Sequence, residues 1–306
     1  MIDKRPALIA RCNSNNDVIA AVNFAREQAL LLAVRGGGHS FAGFSTCDDG
    51  LVLDLSPMQS VDIDPDRKVA RAEGGVTWSV FDAATHAYGL ASTGGLISTT
   101  GIAGLTLGGG IGWLQRKCGL ACDNLLSVDL VTAAGEIVRA SEAENPELFW
   151  GLRGGGGNFG VVTSFEFRLH PVSSVVGGLM LFAASRAKEV LGFYREFVRE
   201  CPDELTTWVS AITAPAADFV PGNLQGKAAL AVLACHCGDP ADAALAIRPL
   251  RNLRPDVDLI ESMPYPALQS MFDEDLPPGV RCYVKAGYTP ALTDLLIDAI
   301  VEHTAA

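Results

Sequence analysis

With 306 residues, 49% of them hydrophobic and 19% charged, the chain has the make-up of a globular protein large enough for one big or two medium domains. A formal net charge of −12 argues against a nucleic-acid partner, since phosphate backbones are bound by clustered Lys and Arg. No apolar run reaches membrane-spanning length and the first residues, Met1-Ile-Asp-Lys-Arg-Pro6, lack a signal-peptide core, which together predict a cytoplasmic chain with reduced thiols and no membrane partner.

Ala7–Ala10 reads as a short strand, and Asn15 or Asn16 can cap a helix in which Val18, Ile19, Val22 and Ala25 recur at helical spacing. Strand Leu30–Val34 then delivers the chain to Arg35-Gly-Gly-Gly-His-Ser-Phe-Ala-Gly43. Lacking a Cβ, Gly36, Gly37 and Gly38 can take positive φ and lay their amides against an anion, a pyrophosphate being the natural guest. A strand, Leu51–Leu55, follows instead of a helix, so loop amides rather than a helix dipole are expected to hold the phosphates. Val61–Ala72 reads as a hairpin around a Pro-Asp turn, and Val76–Tyr88 as a helix ended by Gly89.

Between Gly94 and Gly112 glycines alternate with Leu and Ile, a pattern for a buried segment pressed against a flat, partly apolar surface rather than for a linker. Val128–Thr132 and Glu136–Arg139 form a two-stranded unit, and Asn145-Pro146 opens a helix expected to bury Leu148, Phe149 and Trp150. Gly155, Gly157 and Gly160 match G-x-G-x-x-G only formally, because a helix precedes them and the strand Val161–Leu169 follows, the reverse of a dinucleotide fingerprint.

Past Pro171 the glycine runs vanish, which places a domain boundary there and divides the chain into residues 1–172 and 173–306. Strands are expected at Val175–Phe182, Thr206–Ile212, Lys227–Cys235 and Arg281–Gly287, helices at Ala187–Arg199, Asp239–Leu250 and Pro290–Glu302, and a helical connection at Pro264–Met271, in an α+β arrangement. The eight cysteines lack the paired clusters of a zinc site, and Cys235-His236-Cys237 ends an apolar run that reads as a buried strand, so no metal is expected. Tyr265, Tyr283 and Tyr288 are candidates to line a substrate pocket.

Taken together, the loop Arg35–Gly43, the run Gly104-Leu-Thr-Leu-Gly-Gly-Gly-Ile-Gly-Trp113 and the run Leu148-Phe-Trp-Gly-Leu-Arg-Gly-Gly-Gly-Gly-Asn-Phe-Gly-Val-Val162 resemble the FAD-linked oxidases of the vanillyl-alcohol-oxidase fold, in the berberine-bridge-enzyme-like branch. The resemblance implies a PCMH-type FAD-binding domain followed by an α+β substrate domain, and a hydride passed from a substrate C–H to FAD, with oxygen or another acceptor taking the electrons. It makes His39 the residue bonded to the flavin 8α position, Arg35–Ser40 and Gly43 the pyrophosphate loop, and Thr100, Gly101, Gly104, Leu105, Gly108, Gly109, Gly110, Gly112, Trp113, Asn158, Phe159, Gly160, Val161 and Val162 further cofactor contacts. Many relatives add a cysteine link, but Ile97 stands at the matching position, so a single bond is expected; Cys118 stands where the family has tyrosine. Family members extend further at both ends, so the chain reads as a piece of such a protein, and a flavin-binding protein without turnover is the alternative function.

Overall fold

Ser14, rather than Asn15 or Asn16, caps the first helix. Its hydroxyl accepts from the Asp17 amide; the Asp17 carboxylate in turn accepts from the Asn13 amide at 2.9 Å and from the Ser14 hydroxyl at 3.0 Å, and these last two bonds hold the carboxyl below its ordinary range. The computed structural model in which this is seen describes residues 2–275 and 283–304. The chain divides into two units, Met1–Ser173 with Tyr265–Val284, and Ser174–Pro264 with Lys285–Ala306. The return of residues 265–284 to the first unit has no counterpart in the division made from composition.

In the first unit, strands Leu8–Arg11 (β1), Leu32–Arg35 (β2) and Leu51–Asp54 (β3) make a parallel sheet in the order β1-β3-β2. Helix Asn15–Glu27 (α1) buries Val18, Ala21 and Val22 in one cluster with Leu51 and Leu53. Strands Val61–Asp64 (β4) and Val69–Glu73 (β5) form the expected hairpin, helix Trp78–His86 (α2) follows, and Gly89 takes φ +68° behind it. After Leu90–Ala91 (β6) come helices Ile102–Leu107 (α3) and Gln115–Cys118 (α4), strands Leu125–Val131 (β7) and Ile137–Ser141 (β8), helix Pro146–Leu152 (α5) and strands Val161–Arg168 (β9) and His170–Pro171 (β10).

β4, β5, β9, β7 and β8 join, in that order, in an antiparallel sheet. β9 alternates as a half-buried strand does: Phe165 and Phe167 are buried with Trp78, Phe81 and Phe149, whereas Glu166 turns outward to accept from Arg139 and Ser127. The α5 expectation fails at Trp150, which is exposed; on so short a helix Phe149 and Leu152 fill the core side and Trp150 falls opposite.

In the second unit, strands Ser174–Ala183 (β11), Leu205–Thr213 (β12) and Ala228–His236 (β13) build an antiparallel sheet with β13 between the other two. Strands Val257–Asp258 (β14) and Glu261–Pro264 (β15) both pair with the far edge of β11. Helices Ala187–Glu200 (α6), Pro240–Asn252 (α7) and Asp294–Thr304 (α9) share its core, contributing Val190, Ile247 and Ile297 around Met180 and Val232. The helix Tyr265–Gln269 (α8) belongs to the first unit. Of the strand expected at 281–287, Arg281 and Cys282 lie outside the described residues and 283–287 form no strand. Among the described residues no helix is long and apolar enough to cross a membrane.

Candidate functional site

The loop after β2 is shaped by two of its glycines only. Gly38 and Gly43 take positive φ, +77° and +74°, whereas Gly36 and Gly37 do not. Gly37 is glycine for a different reason from the one expected. A Cβ on Gly37 would stand 2.2 Å from the Gly101 nitrogen, and one on Gly101 would stand 2.4 Å from the Gly37 nitrogen, so the loops touch backbone to backbone. Among the described residues, the amides of Gly36, Gly37, Gly38, His39 and Ser40 have no hydrogen-bond acceptor. Ser40 closes the turn: its carbonyl accepts from Gly43 and its hydroxyl oxygen from the Phe44 amide, each at 3.0 Å. Arg35 folds back beside Gly38, its Nε 3.2 Å from where a Cβ would be.

The segment 94–112 is less uniform than its composition suggests, because α3 interrupts it with Gly101 as N-cap. The first loop therefore borders a helix start after all, one brought from elsewhere in the chain rather than from its own downstream residues. Ile102, Thr106 and Leu107 face inward, while Gly104 and Gly108 line the exposed flank with half-buried Leu105 between them; a Cβ at Gly104 would meet nothing within 4 Å. Gly109 and Gly110, at φ +111° and +86°, turn the chain, and their carbonyls accept from Cys122 and Ala121 at 2.9 Å. Gly112 is pressed against the Gly94 carbonyl, and Trp113 is buried and stacked on Phe272 with ring centroids 6.2 Å apart.

The third run closes the C-terminal end of α3. Both Gly154 and Gly156 donate to the Leu107 carbonyl, at 3.0 and 2.8 Å, and Asn158 Nδ2 donates to the Gly155 carbonyl. Phe159 lies against Gly151 with part of its ring exposed, and Gly160 (φ +149°) is packed on the Val131 carbonyl. Val161 and Val162 are buried in two separate clusters, so their side chains serve packing and only their backbone could meet a ligand.

These contacts gather the three runs in one place, and His39 stands among them. Its Nε2 lies 3.0 Å from Thr99 Oγ1 and its Nδ1 3.4 Å from Thr100 Oγ1, so both ring nitrogens are bracketed by hydroxyls. One side of the imidazole is exposed, yet desolvation by the surrounding loops lowers its pKa, opposed in part by the negative charge of Asp273. That carboxylate accepts from the Ser98 amide at 2.8 Å and from its hydroxyl at 2.6 Å. Sequence reasoning missed Ser98, Thr99 and Asp273. The hydroxyl run Ser98-Thr-Thr100 beside glycines was a usable signal; Asp273, 175 positions from Ser98, offered none. Of the candidate pocket tyrosines, Tyr265 is buried while Tyr283 and Tyr288 are exposed.

The model of an FAD-binding domain matches residues 6–141. The solved structure of 6-hydroxy-D-nicotine oxidase from Arthrobacter nicotinovorans superposes with a TM-score of 0.81 at 34% identity, over 90% of this chain and 60% of that one. The chain is similar to the FAD-linked oxidoreductases of the vanillyl-alcohol-oxidase fold, and its residues 6–141 carry their FAD-binding domain. FAD is the cofactor of this family. An FAD-linked oxidoreductase of Dictyostelium discoideum is 35% identical over 97% of this chain and 64% of its own length. The (R)-6-hydroxynicotine oxidase of Paenarthrobacter nicotinovorans is 38% identical over 82% of this chain and 53% of its own length. The chain thus spans between about half and two thirds of the length of the relatives it matches.

Proposed function

We propose that the chain serves an FAD-dependent oxidoreductase in which a covalently held flavin, bonded through His39, takes a hydride from a substrate C–H and passes the electrons to oxygen or another acceptor. The observation that carries this reading is the pairing of acceptor-free amides at Gly36–Ser40 with an imidazole bracketed by Thr99 and Thr100. Amides without an internal acceptor suit a pyrophosphate, since each bond to a charged oxygen is worth roughly 1.5–3 kcal/mol. The open flank of α3 at Gly104 suits a flat group laid against it.

In this reading Arg35 and Gly36–Gly43 hold the phosphates; Thr100, Gly101, Gly104, Leu105, Gly108–Gly110, Gly112 and Trp113 build the wall beside the ring system. Asn158–Val162 closes the site, the last two residues through their backbone. The first unit is the FAD-binding part and the second begins the substrate part. When bound, FAD supplies the two-electron acceptor. The lowered pKa of His39 favours the neutral imidazole, the form whose nitrogen lone pair is available as a nucleophile. Ile97 leaves no second attachment point in its loop.

Flavin fluorescence on a denaturing gel tests the attachment: the signal should travel with the wild-type polypeptide and be lost in His39→Ala. Fluorescence that persists in His39→Ala refutes the assignment. The alternative, flavin held without turnover, predicts the same gel but no bleaching of the flavin band near about 450 nm on anaerobic addition of substrate. (R)-6-hydroxynicotine, named for one relative, is the first compound to try.

A further inference from the structure

The imidazole of His39 is held by a turn that is itself held from far away in the chain. Thr99 and Thr100 supply the hydroxyls at its two nitrogens, and both sit on a tight turn in which the Thr100 amide donates to the Ile97 carbonyl. One side of the turn is tied to α2, because the Ser79 amide donates to the Ser98 carbonyl and the Trp78 amide to the Thr100 carbonyl. The other side is tied by Asp273, whose two carboxylate oxygens take the amide and the hydroxyl of Ser98. Ser98 is buried, so this two-point bond is shielded from competing water.

Residues 265–273 are firmly placed to deliver that carboxylate. The Tyr265 amide donates to the Ser173 carbonyl at 3.1 Å, Gln269 Nε2 donates to the buried Asp82 carboxyl at 3.0 Å, and Phe272 stacks on Trp113. Asp273 follows immediately. We infer that Asp273 is a positioning residue for His39: by clamping Ser98 it fixes the Thr99 and Thr100 hydroxyls that orient the imidazole, and through this relay it governs attachment of the flavin. The attachment half of this inference rests on the function proposed above; the orienting half does not.

A purely structural tether would affect stability alone. A positioning role also changes the two hydrogen bonds at the His39 ring, which its nitrogen shifts report; separately, among the described residues Asp273 is the charge that acts on that ring. Asp273→Asn keeps an acceptor for Ser98 but removes the charge, Asp273→Glu keeps the charge, and Ser98→Ala keeps the charge but removes one hydrogen bond. The experiment uses the full chain produced without flavin and labelled at histidine nitrogen, with His39→Ala to assign the resonance. The His39 titration midpoint should fall in Asp273→Asn and stay in place in Asp273→Glu and Ser98→Ala. The rate at which added FAD becomes attached to the denatured-resistant polypeptide should fall at least about tenfold in Asp273→Asn and Ser98→Ala, as expected when a reacting group loses its orientation. An Asp273→Asn chain that melts earlier but keeps the wild-type His39 midpoint and attachment rate overturns the inference. Should that variant not fold, an unchanged attachment rate in Ser98→Ala overturns it equally. If flavin remains attached in His39→Ala, the attachment reading fails on its own, while the ring-nitrogen shifts of His39, which report the Thr99 and Thr100 hydrogen bonds, still decide the orienting role: they should move in both Asp273→Asn and Ser98→Ala, and shifts unchanged in both overturn it.

Discussion

Gly37→Ala should destabilise the chain even with no flavin present. The added Cβ would stand 2.2 Å from the Gly101 nitrogen and 2.7 Å from its Cα, against 3.4 Å for an ordinary contact. Both neighbours are backbone, so no side-chain rotation relieves the clash, and the backbones must part by roughly 1 Å. Neither is free to move: Arg35 O accepts from Leu55 at the end of the β2–β3 pair, while Thr100 O accepts from Trp78 and Ile102 donates to Val76 O. Overpacking of this kind costs about 1–3 kcal/mol, which for a unit of this size lowers Tm by roughly 2–12 °C. Thermal melts of the flavin-free protein measure it directly. Gly104→Ala is the matched control, since its Cβ meets nothing within 4 Å and alanine favours a helix by roughly 0.5–1 kcal/mol. That variant should melt no earlier than wild type while retaining less flavin, because the methyl group enters the space assigned to the cofactor. An unchanged melt for Gly37→Ala would refute the claim that the first loop's glycines are set by contact between loops.

Burial pushes the Asp82 carboxyl up to about 7, with the Gln269 amide only partly opposing this. A carboxyl raised in the folded state costs nothing below its unfolded pKa near 3.8, and stability falls as pH rises from there to about 7, by roughly 4 kcal/mol in all. The advantage of Asp82→Asn over wild type in urea melts should accordingly grow between pH 4 and pH 7 (about these limits) and then level; a constant difference would refute it. The Cys12 thiol is pushed up to about 11, chiefly by burial, so at pH 8 only about one molecule in a thousand carries the thiolate. Iodoacetamide should leave Cys12 unmodified until the chain is unfolded, as mass spectrometry of the peptides would reveal. Arg139→Ala, which cuts half-exposed bonds to Glu166 and Asp129, should cost no more than about 1 kcal/mol in the same urea melts, and a larger loss would mean the outer sheet face is better shielded than it looks.

Local chemistry made much of this legible in advance. Alternating apolar residues announced β9 and β11, helical spacing announced α1, α6 and α7, and the absence of a helix after Gly43 ruled out a Rossmann unit. The three glycine runs pointed to FAD and to His39 through their resemblance to FAD-linked oxidases, which was visible because such patterns are short and carried by neighbouring residues. Where glycine was read as freedom of φ, however, the reading failed at Gly36, which lies against the Gly74 carbonyl, and at Gly37, since close approach to a loop some 60 residues away leaves no local trace. α3 was hidden in the same way: glycines disfavour a helix locally, and only contact with Val76, the first loop and the third makes one there. The cap at Ser14 lay one residue before the expected position, within reach of Asp17. Sequence alone therefore determined most of the elements and, by resemblance, the cofactor, and it singled out His39 as the candidate attachment residue, each from residues close together along the chain. Tertiary structure decided what surrounds that histidine, because Asp273 reaches it only through residues 265–273 packing back on α2, Ser98 and Trp113, and contacts of such separation are written in shape rather than in spacing.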